Sequence, residues 1–318
     1  MKGLTDVPGI LVGHATDGIA LTGCTAILCG TEATGGVDVR GSATGSCELE
    51  TLDPGHVAPH VHAIVLSGGS AFGLESTCGV RNVLEKRGIG YDTGVARVPI
   101  VPGAILFDLA IGSAHVRPGL EMGEKAALAA TDAPVAEGNV GAGTGATVGK
   151  IFGMKQAMKS GIGSASLTLG SGVIVAALVA VNGIGDVIDP QNGRIVAGTR
   201  KSPQSREFIN SAAALRHGVG ERNPPGRRNT TLAVVATNAQ LDRVQSNKLA
   251  ALASLGIART ISPVNTMSDG DITFAISLGK EKAPVDEVGV AAAEALAAAV
   301  LRAVRAAKTA GGVPGLAG

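Results

Sequence analysis

Large aromatic rings are almost missing from this chain of 318 residues, which has five Phe, one Tyr and no Trp. Stacking platforms for nucleic-acid bases and the bulky anchors typical of protein interfaces are thereby largely excluded. An excess of either charge is also missing. With 27 basic and 26 acidic residues the net charge is +1, which gives no general attraction to nucleic acid or to an anionic membrane. Cys24, Cys29, Cys47 and Cys78 form neither a C-x-x-C pair nor a compact cluster, so they indicate no zinc site and no disulfide framework, and read as buried, inert thiols. The start, "MKGLTDVPGI", lacks the apolar stretch of a signal peptide, and no apolar run reaches the roughly 18 to 20 residues that span a bilayer. The expectation is a soluble, cytoplasmic protein without metal or cofactor, whose partner is a small molecule.

Glycine, by contrast, reaches 47 residues, and the apolar residues are mostly Ala, Val, Ile and Leu. Small side chains let helices and sheets approach closely, which suits a layered fold. "HVHAIVLSGGSAFGLESTCGVRNVLEKRG" predicts a strand, a glycine turn and a helix capped at Gly88. "ILFDLAIG" and "EMGEKAALAATDA" offer apolar helical material, and "GIGSASLTL" and "GVIVAALVAVN" read as strands, the second buried on both faces. Residues 200–228, basic and carrying Pro203 and the pair Pro224 and Pro225, read as a linker. A strand at Thr231–Thr237, a helix at Leu241–Leu255, a strand near "ITFAISLG" and a long alanine-rich helix at Asp286–Lys308 complete a multilayer α/β or α+β domain.

Several motifs fail when their chemistry is checked. "GTGATVGK" resembles a phosphate loop, but G-x4-G-K-[ST] would need Gly where Thr144 stands and a hydroxyl at Ile151. "GAGTGA", residues 141–146, follows no clear strand and has no acidic residue about 20 positions on to hold a ribose. "SGGSAFG" has the strand-turn-helix setting of a nucleophile elbow, yet Phe72 occupies a required Gly position. His56, His60 and His62 could suggest a metal, but His60 and His62 alternate along a strand, and the three read as ordinary surface or core histidines.

Three other segments carry chemistry together. In "GRRNTTLAVVATNA" a strand begins with two threonines behind a basic, proline-containing loop. A threonine hydroxyl is a weak nucleophile unless a base adjoins it, and cleavage before Thr230 would supply one, the new α-amine, with a reference pKa near 8. In "NTMSDGDITFAIS", Asp269 and Asp271 share one face of an extended segment, where they could orient an amine or share a proton; a plain turn is the competing reading. In "VAVNGIGDVID", Asn182 ends a buried strand with an amide able to donate to an oxyanion.

The ordered motifs "LTDVPGILVGH", "LSGGSAFGLE", "VPIVPGAILFDL", "GTGATVGK", "VNGIGDVID", "NTTLAVVATNA" and "SDGDITFAISLG" together resemble peptidase family S58, that of the L-aminopeptidase/D-esterase and the β-aminopeptidases. The Asn-Thr-Thr junction looks most like its 6-aminohexanoate-oligomer hydrolase branch. The resemblance spans nearly the whole chain. It implies an α+β, four-layer αββα N-terminal-nucleophile hydrolase, a single catalytic domain that cuts itself between Asn229 and Thr230 into chains 1–229 and 230–318. It further implies Thr230 as nucleophile, Asn182 as oxyanion donor, Lys150 beside the nucleophile, Asp269 and Asp271 as the acidic pair positioning the amine, and tetramers of processed units. One departure is expected: where relatives would carry a tyrosine that helps hold the oxyanion, this chain has Phe107. An ornithine acetyltransferase-like acyltransferase and a non-catalytic binding protein are the alternative readings.

Overall fold

The computed structural model describes residues 2–219 and 229–318, with the side chains of residues 31 and 32 left aside. The scaffold is a nine-stranded sheet path built from β1 (Leu11–Asp17), β2 (Thr22–Val39), β3 (Ser46–Cys47), β4 (Val61–Ser67), β5 (Gly103–Ile105), β6 (Ile162–Thr168), β7 (Ile174–Ala180), β8 (Leu232–Ala239) and β9 (Ile272–Glu281). Their order is β6-β7-β8-β9-β2-β4-β5-β3, with β1 also on β2. The long β2 serves two sheets. Its first half pairs with β1 and β4, its register shifts between Leu28 and Ala33, and its second half pairs with β9.

Alternation along the strands sorts the side chains into three cores. In β7, Val175, Ala177 and Val179 face helices while Ala176, Leu178 and Ala180 face the other sheet; in β4, Ala63 and Val65 face helices while Ile64 and Leu66 face inward. This period of two, with both faces apolar, is what a doubly covered strand requires. One outer face carries α1 (Ser76–Lys86) and α2 (Leu120–Leu128); the other carries α3 (Arg243–Thr260) and α4 (Val285–Arg305). The result is four layers, αββα. The scarcity of large side chains is visible in the packing of α3 on α4: a Cβ on Gly256 would stand 2.3 Å from the carbonyl oxygen of Ala293.

Most predicted elements fall where the pattern puts them, with three differences. "ILFDLAIG" is not helical; β5 ends at Ile105 and the chain turns into a loop. The loop is fixed by Asp108, whose carboxylate accepts from Gly69 N and Thr22 Oγ1, each at 2.7 Å. The helix predicted to end at Leu255 runs on to Thr260, and residues 200–216 do not behave as a linker. Arg200 is buried and donates to the carbonyls of Ala157, Lys155 and Pro203, and Ser211–Arg216 is a short helix. Pro224, Pro225 and the basic residues just before Asn229 lie outside the described residues.

Two strand-helix-strand units set the polarity. β8 and β9 are parallel and joined through α3, and β4 and β5 are parallel and joined through α1, since a parallel pair needs a crossover. Register then decides where the chemistry gathers. Ala180 opposes Leu232 on antiparallel β7 and β8, and Leu232 opposes Ile272 on parallel β8 and β9. The end of β7 and the starts of β8 and β9 therefore meet at one edge of the sheet.

Candidate active site

The residues just beyond that edge are Asn182, Asn229 to Thr231, and Asp269 to Asp271. Each is tied by backbone before any side chain is considered. Asn229 N donates to Ser268 O at 3.0 Å, Thr230 N to Asn182 O at 3.1 Å, and Gly270 N to Asn229 O at 2.7 Å. The peptide bond between Asn229 and Thr230 is thus gripped on both sides, and both residues are buried. Thr230 Oγ1 lies 2.5 Å from the Asn229 carbonyl oxygen and donates to it. The Thr230 hydroxyl and the Gly270 N–H therefore both donate to the carbonyl oxygen of the bond that an acyl shift would break.

The glycine between the two aspartates is sterically required. A Cβ at Gly270 would come within 2.7 Å of both Thr230 Oγ1 and Ala43 O. The two aspartates beside it each accept their own hydrogen bonds. Asp271 Oδ1 accepts from Thr231 N at 2.6 Å and its Oδ2 from Asn265 N at 3.0 Å, whereas Asp269 Oδ2 accepts from Thr266 N at 3.0 Å and from Thr266 Oγ1 at 2.7 Å. Burial, followed by the charge of Asp269, pushes Asp271 up to about 7. Burial also raises Asp269, against the pull of Thr266, Ile184 and Lys150.

Lys150 reaches the edge from a turn whose backbone is held on the loop after β7, with Lys150 N donating to Ile184 O at 3.0 Å. Its Nζ donates to Asn182 O at 3.0 Å and to Asn182 Oδ1 at 2.8 Å. Burial lowers Lys150 to about 7, with Asp269 and Asp271 pulling it back up. The Asn182 amide is fixed in one sense: Oδ1 also accepts from Thr147 N at 3.0 Å, and Nδ2 donates to Phe107 O at 3.0 Å. One Nδ2 hydrogen remains beyond that bond. In the uncut chain the donors on the Asn229 carbonyl are Gly270 N–H and Thr230 Oγ1, and not the Asn182 amide.

All five side chains singled out in the sequence, Thr230, Asn182, Lys150, Asp269 and Asp271, converge here. A small cleft lined by Phe107, Asp108, Ile111, Thr147, Lys150 and Met154 reaches Lys150. Sequence reasoning missed the Gly270 N–H and the Thr147 N–H. The first was foreshadowed by a glycine squeezed between two acids, and the second by nothing in the pattern, because a backbone donor leaves no residue-type signal. The rejected motifs have structural explanations. Lys150 of "GTGATVGK" points into the protein, and the Gly69 N–H of "SGGSAFG" is taken by Asp108. His62 Nδ1 accepts from Ile100 N, and no group of three or more His, Cys, Asp or Glu side chains among the described residues could hold a metal ion. No helix among them is long and apolar enough to cross a membrane.

Known proteins resemble this chain in sequence and in fold. A model described as peptidase family S58 matches residues 2–317. An uncharacterized aminopeptidase of Mycobacterium leprae is 39% identical, over 99% of this chain and 93% of its own. A 6-aminohexanoate-oligomer endohydrolase of Kocuria sp. is 32% identical, over 86% of this chain and 74% of its own. The identity with the mycobacterial protein is the higher of the two, so the special likeness to the oligomer-hydrolase branch suggested by the Asn-Thr-Thr junction does not extend along the chain. Among solved structures, a β-aminopeptidase of Burkholderia sp. has a TM-score of 0.71 at 25% identity, covering 99% of this chain and 90% of its own. The L-aminopeptidase D-Ala-esterase/amidase of Ochrobactrum anthropi, described as a variant of the Ntn hydrolase fold, has a TM-score of 0.71 at 21% identity, covering 96% and 86%. The four layers are those of an N-terminal-nucleophile hydrolase.

Proposed function

The chain belongs to peptidase family S58 and is a hydrolase, and from that premise we propose that it is a self-cleaving N-terminal threonine amidohydrolase acting on small peptides or amino-acid amides. The observation that carries the reading is the contact of Thr230 Oγ1 with the Asn229 carbonyl, whose oxygen also accepts from Gly270 N. Thr230 Oγ attacks that carbonyl carbon, the C–N bond breaks, and the nitrogen takes a proton to become the α-amine. Water then hydrolyses the Asn229 ester, leaving chains 1–229 and 230–318.

In the cut enzyme the same Oγ attacks a substrate amide while the α-amine accepts its proton and passes it to the leaving amine; water releases the acyl group. The α-amine inherits the Thr230 nitrogen's place on Asn182 O, beside Lys150 Nζ. Asn182 Nδ2 and backbone donors hold the oxyanion. Phe107 supplies no hydroxyl to help, which points to slower turnover than a tyrosine there would give. Aminopeptidase substrates are the primary reading, supported by the name of the more similar mycobacterial relative; ω-amino acid oligomers are the second, supported by the name of the endohydrolase. Assembly as a tetramer of processed units and a cytoplasmic location belong to the same proposal.

Intact mass under denaturing conditions tests it. The wild type should give two species, ending at Asn229 and beginning at Thr230, and should hydrolyse amino-acyl p-nitroanilides. Thr230→Ala should stay in one piece and lose at least about 10³-fold in amide hydrolysis. An alanine variant that still splits and still hydrolyses amides would sink the assignment.

A further inference from the structure

Lys159 is among the largest fully buried side chains of the described residues, and among those residues no carboxylate lies within ion-pair distance of its ammonium. Burying an ammonium without a contact counter-ion is expensive, so its neighbours should account for it. The Nζ donates to three backbone carbonyls, those of Thr144 at 3.0 Å, Ala146 at 2.6 Å and Ser160 at 3.2 Å. All three hydrogens of an ammonium are then used, in a carbonyl cage of the kind that elsewhere holds a monovalent ion.

One of those carbonyls leads straight to the active site. Ala146 C=O and Thr147 N–H are two ends of a single planar peptide group. The first accepts from Lys159 Nζ at 2.6 Å, and the second donates to Asn182 Oδ1 at 3.0 Å. Thr147 also opposes Lys159 across a short antiparallel ladder, so the ammonium and the peptide it grips are held by the same pair of strands. Pulling electron density toward the carbonyl end strengthens the N–H as a donor.

We propose that Lys159 is a positioning residue of the hydrolase, the interior cation that clamps the Ala146–Thr147 peptide and thereby fixes the orientation of the Asn182 amide from which the oxyanion is held. The inference rests on the amidohydrolase reading above. Lys159 does not touch the reacting atoms; it acts through one peptide group. Around it stand Asp108, which favours its charge, and Lys150, which opposes it; Lys150 in turn is acted on by Asp269 and Asp271. Burial brings Lys159 down to about 7, so the cation predominates below neutrality and is lost as pH rises through that value.

The test compares processed wild type with Lys159→Met, which keeps length and bulk without charge. The variant should keep KM within about twofold while kcat falls on the order of ten- to a hundredfold, and it should lose a similar factor in affinity for an aliphatic boronic acid that mimics the tetrahedral state. In Lys159→Ala, ethylammonium should restore kcat in a concentration-dependent way and tetramethylammonium should not. Unchanged kcat and boronate affinity in Lys159→Met overturn the proposal and leave the hydrolase reading intact; a wild type that neither splits nor hydrolyses amides overturns both. Should the variants fail to fold, 15N-lysine NMR of the wild type decides, with the second buried lysine identified by Lys150→Met. A Lys159 Nζ resonance whose titration tracks the alkaline limb of kcat supports the role, and a midpoint more than about one pH unit away from that limb overturns it.

Discussion

Thr230 and Lys150 are joined through a single atom: the backbone nitrogen of one and the side-chain nitrogen of the other both donate to the carbonyl oxygen of Asn182, at 3.1 and 3.0 Å. The two nitrogens can be no further apart than the sum of those distances. Once the Thr230 nitrogen is an amine, a charged Lys150 disfavours its protonation, and the amine stays available as a base near neutrality.

Replacing Lys150 by Met removes that repulsion. The amine pKa should rise, so a larger fraction is protonated at pH 7, and the acid limb of the kcat/KM profile should move up by about one unit. A pH series on the processed variant checks this. A limb that stays put would mean the two nitrogens do not interact in the cut enzyme.

Asp271 should make the uncut protein less stable as pH rises. Its folded pKa, pushed up to about 7, lies above the unfolded value near 3.9, so between those two values the folded state holds more protons and stability falls with increasing pH. Asp271→Asn forfeits one of the two acceptors that Thr231 N and Asn265 N use. On a Thr230→Ala background, where cutting does not intervene, its melting temperature relative to its parent should still be several degrees higher at pH 8 than at pH 5. Thermal unfolding at the two pH values is the check, and a relative melting temperature that rises on acidification contradicts the assignment of cost to the ionised carboxylate.

Gly270→Ala adds one methyl group where Thr230 Oγ1 and Ala43 O each leave 2.7 Å. Relief requires moving either the nucleophile or the Gly270 N–H away from the Asn229 carbonyl. Self-cutting should slow at least about tenfold, read as the rate at which the full-length band disappears on a denaturing gel after refolding. Wild-type cutting would remove Gly270 from the processing geometry.

Phe107 lines the cleft while its own carbonyl accepts from Asn182 Nδ2. Phe107→Tyr leaves that carbonyl in place and offers an added hydroxyl. kcat should rise by about tenfold with little change in KM, and steady-state kinetics on an amino-acyl p-nitroanilide would detect it. Equal or lower kcat would mean that the ring does not face the developing oxyanion.

The side chains that converge at the candidate site were legible in the sequence, whereas the backbone groups bonded to them were not. Thr230, Asn182 and the Asp269 and Asp271 pair stand out by residue type at strand ends, where alternating or apolar strand patterns stop. Lys150 became visible only through the family resemblance, and the resemblance did not extend to Lys159. In "AMKSGIGSAS" a lysine among small and apolar residues is the single hint of its burial. The misread of "ILFDLAIG" has a tertiary cause, because the bonds that Asp108 makes to Thr22 and Gly69 hold the loop and override the local apolar run. The supposed linker failed at its start for a similar reason: a charged Arg200 can be interior when neighbouring carbonyls satisfy it.

The strand order bears on how the protein could be assembled again if it is cut after residue 229. β8 and β9 belong to the later piece, yet they lie between β7 and β2 of the earlier one. Severing the chain would remove a covalent tie without freeing either fragment, since each completes the sheet of the other. Denaturation, however, would turn a unimolecular folding reaction into an encounter between two incomplete chains. Recovery after dilution from denaturant should then depend on protein concentration for cut material and not for the uncut Thr230→Ala protein.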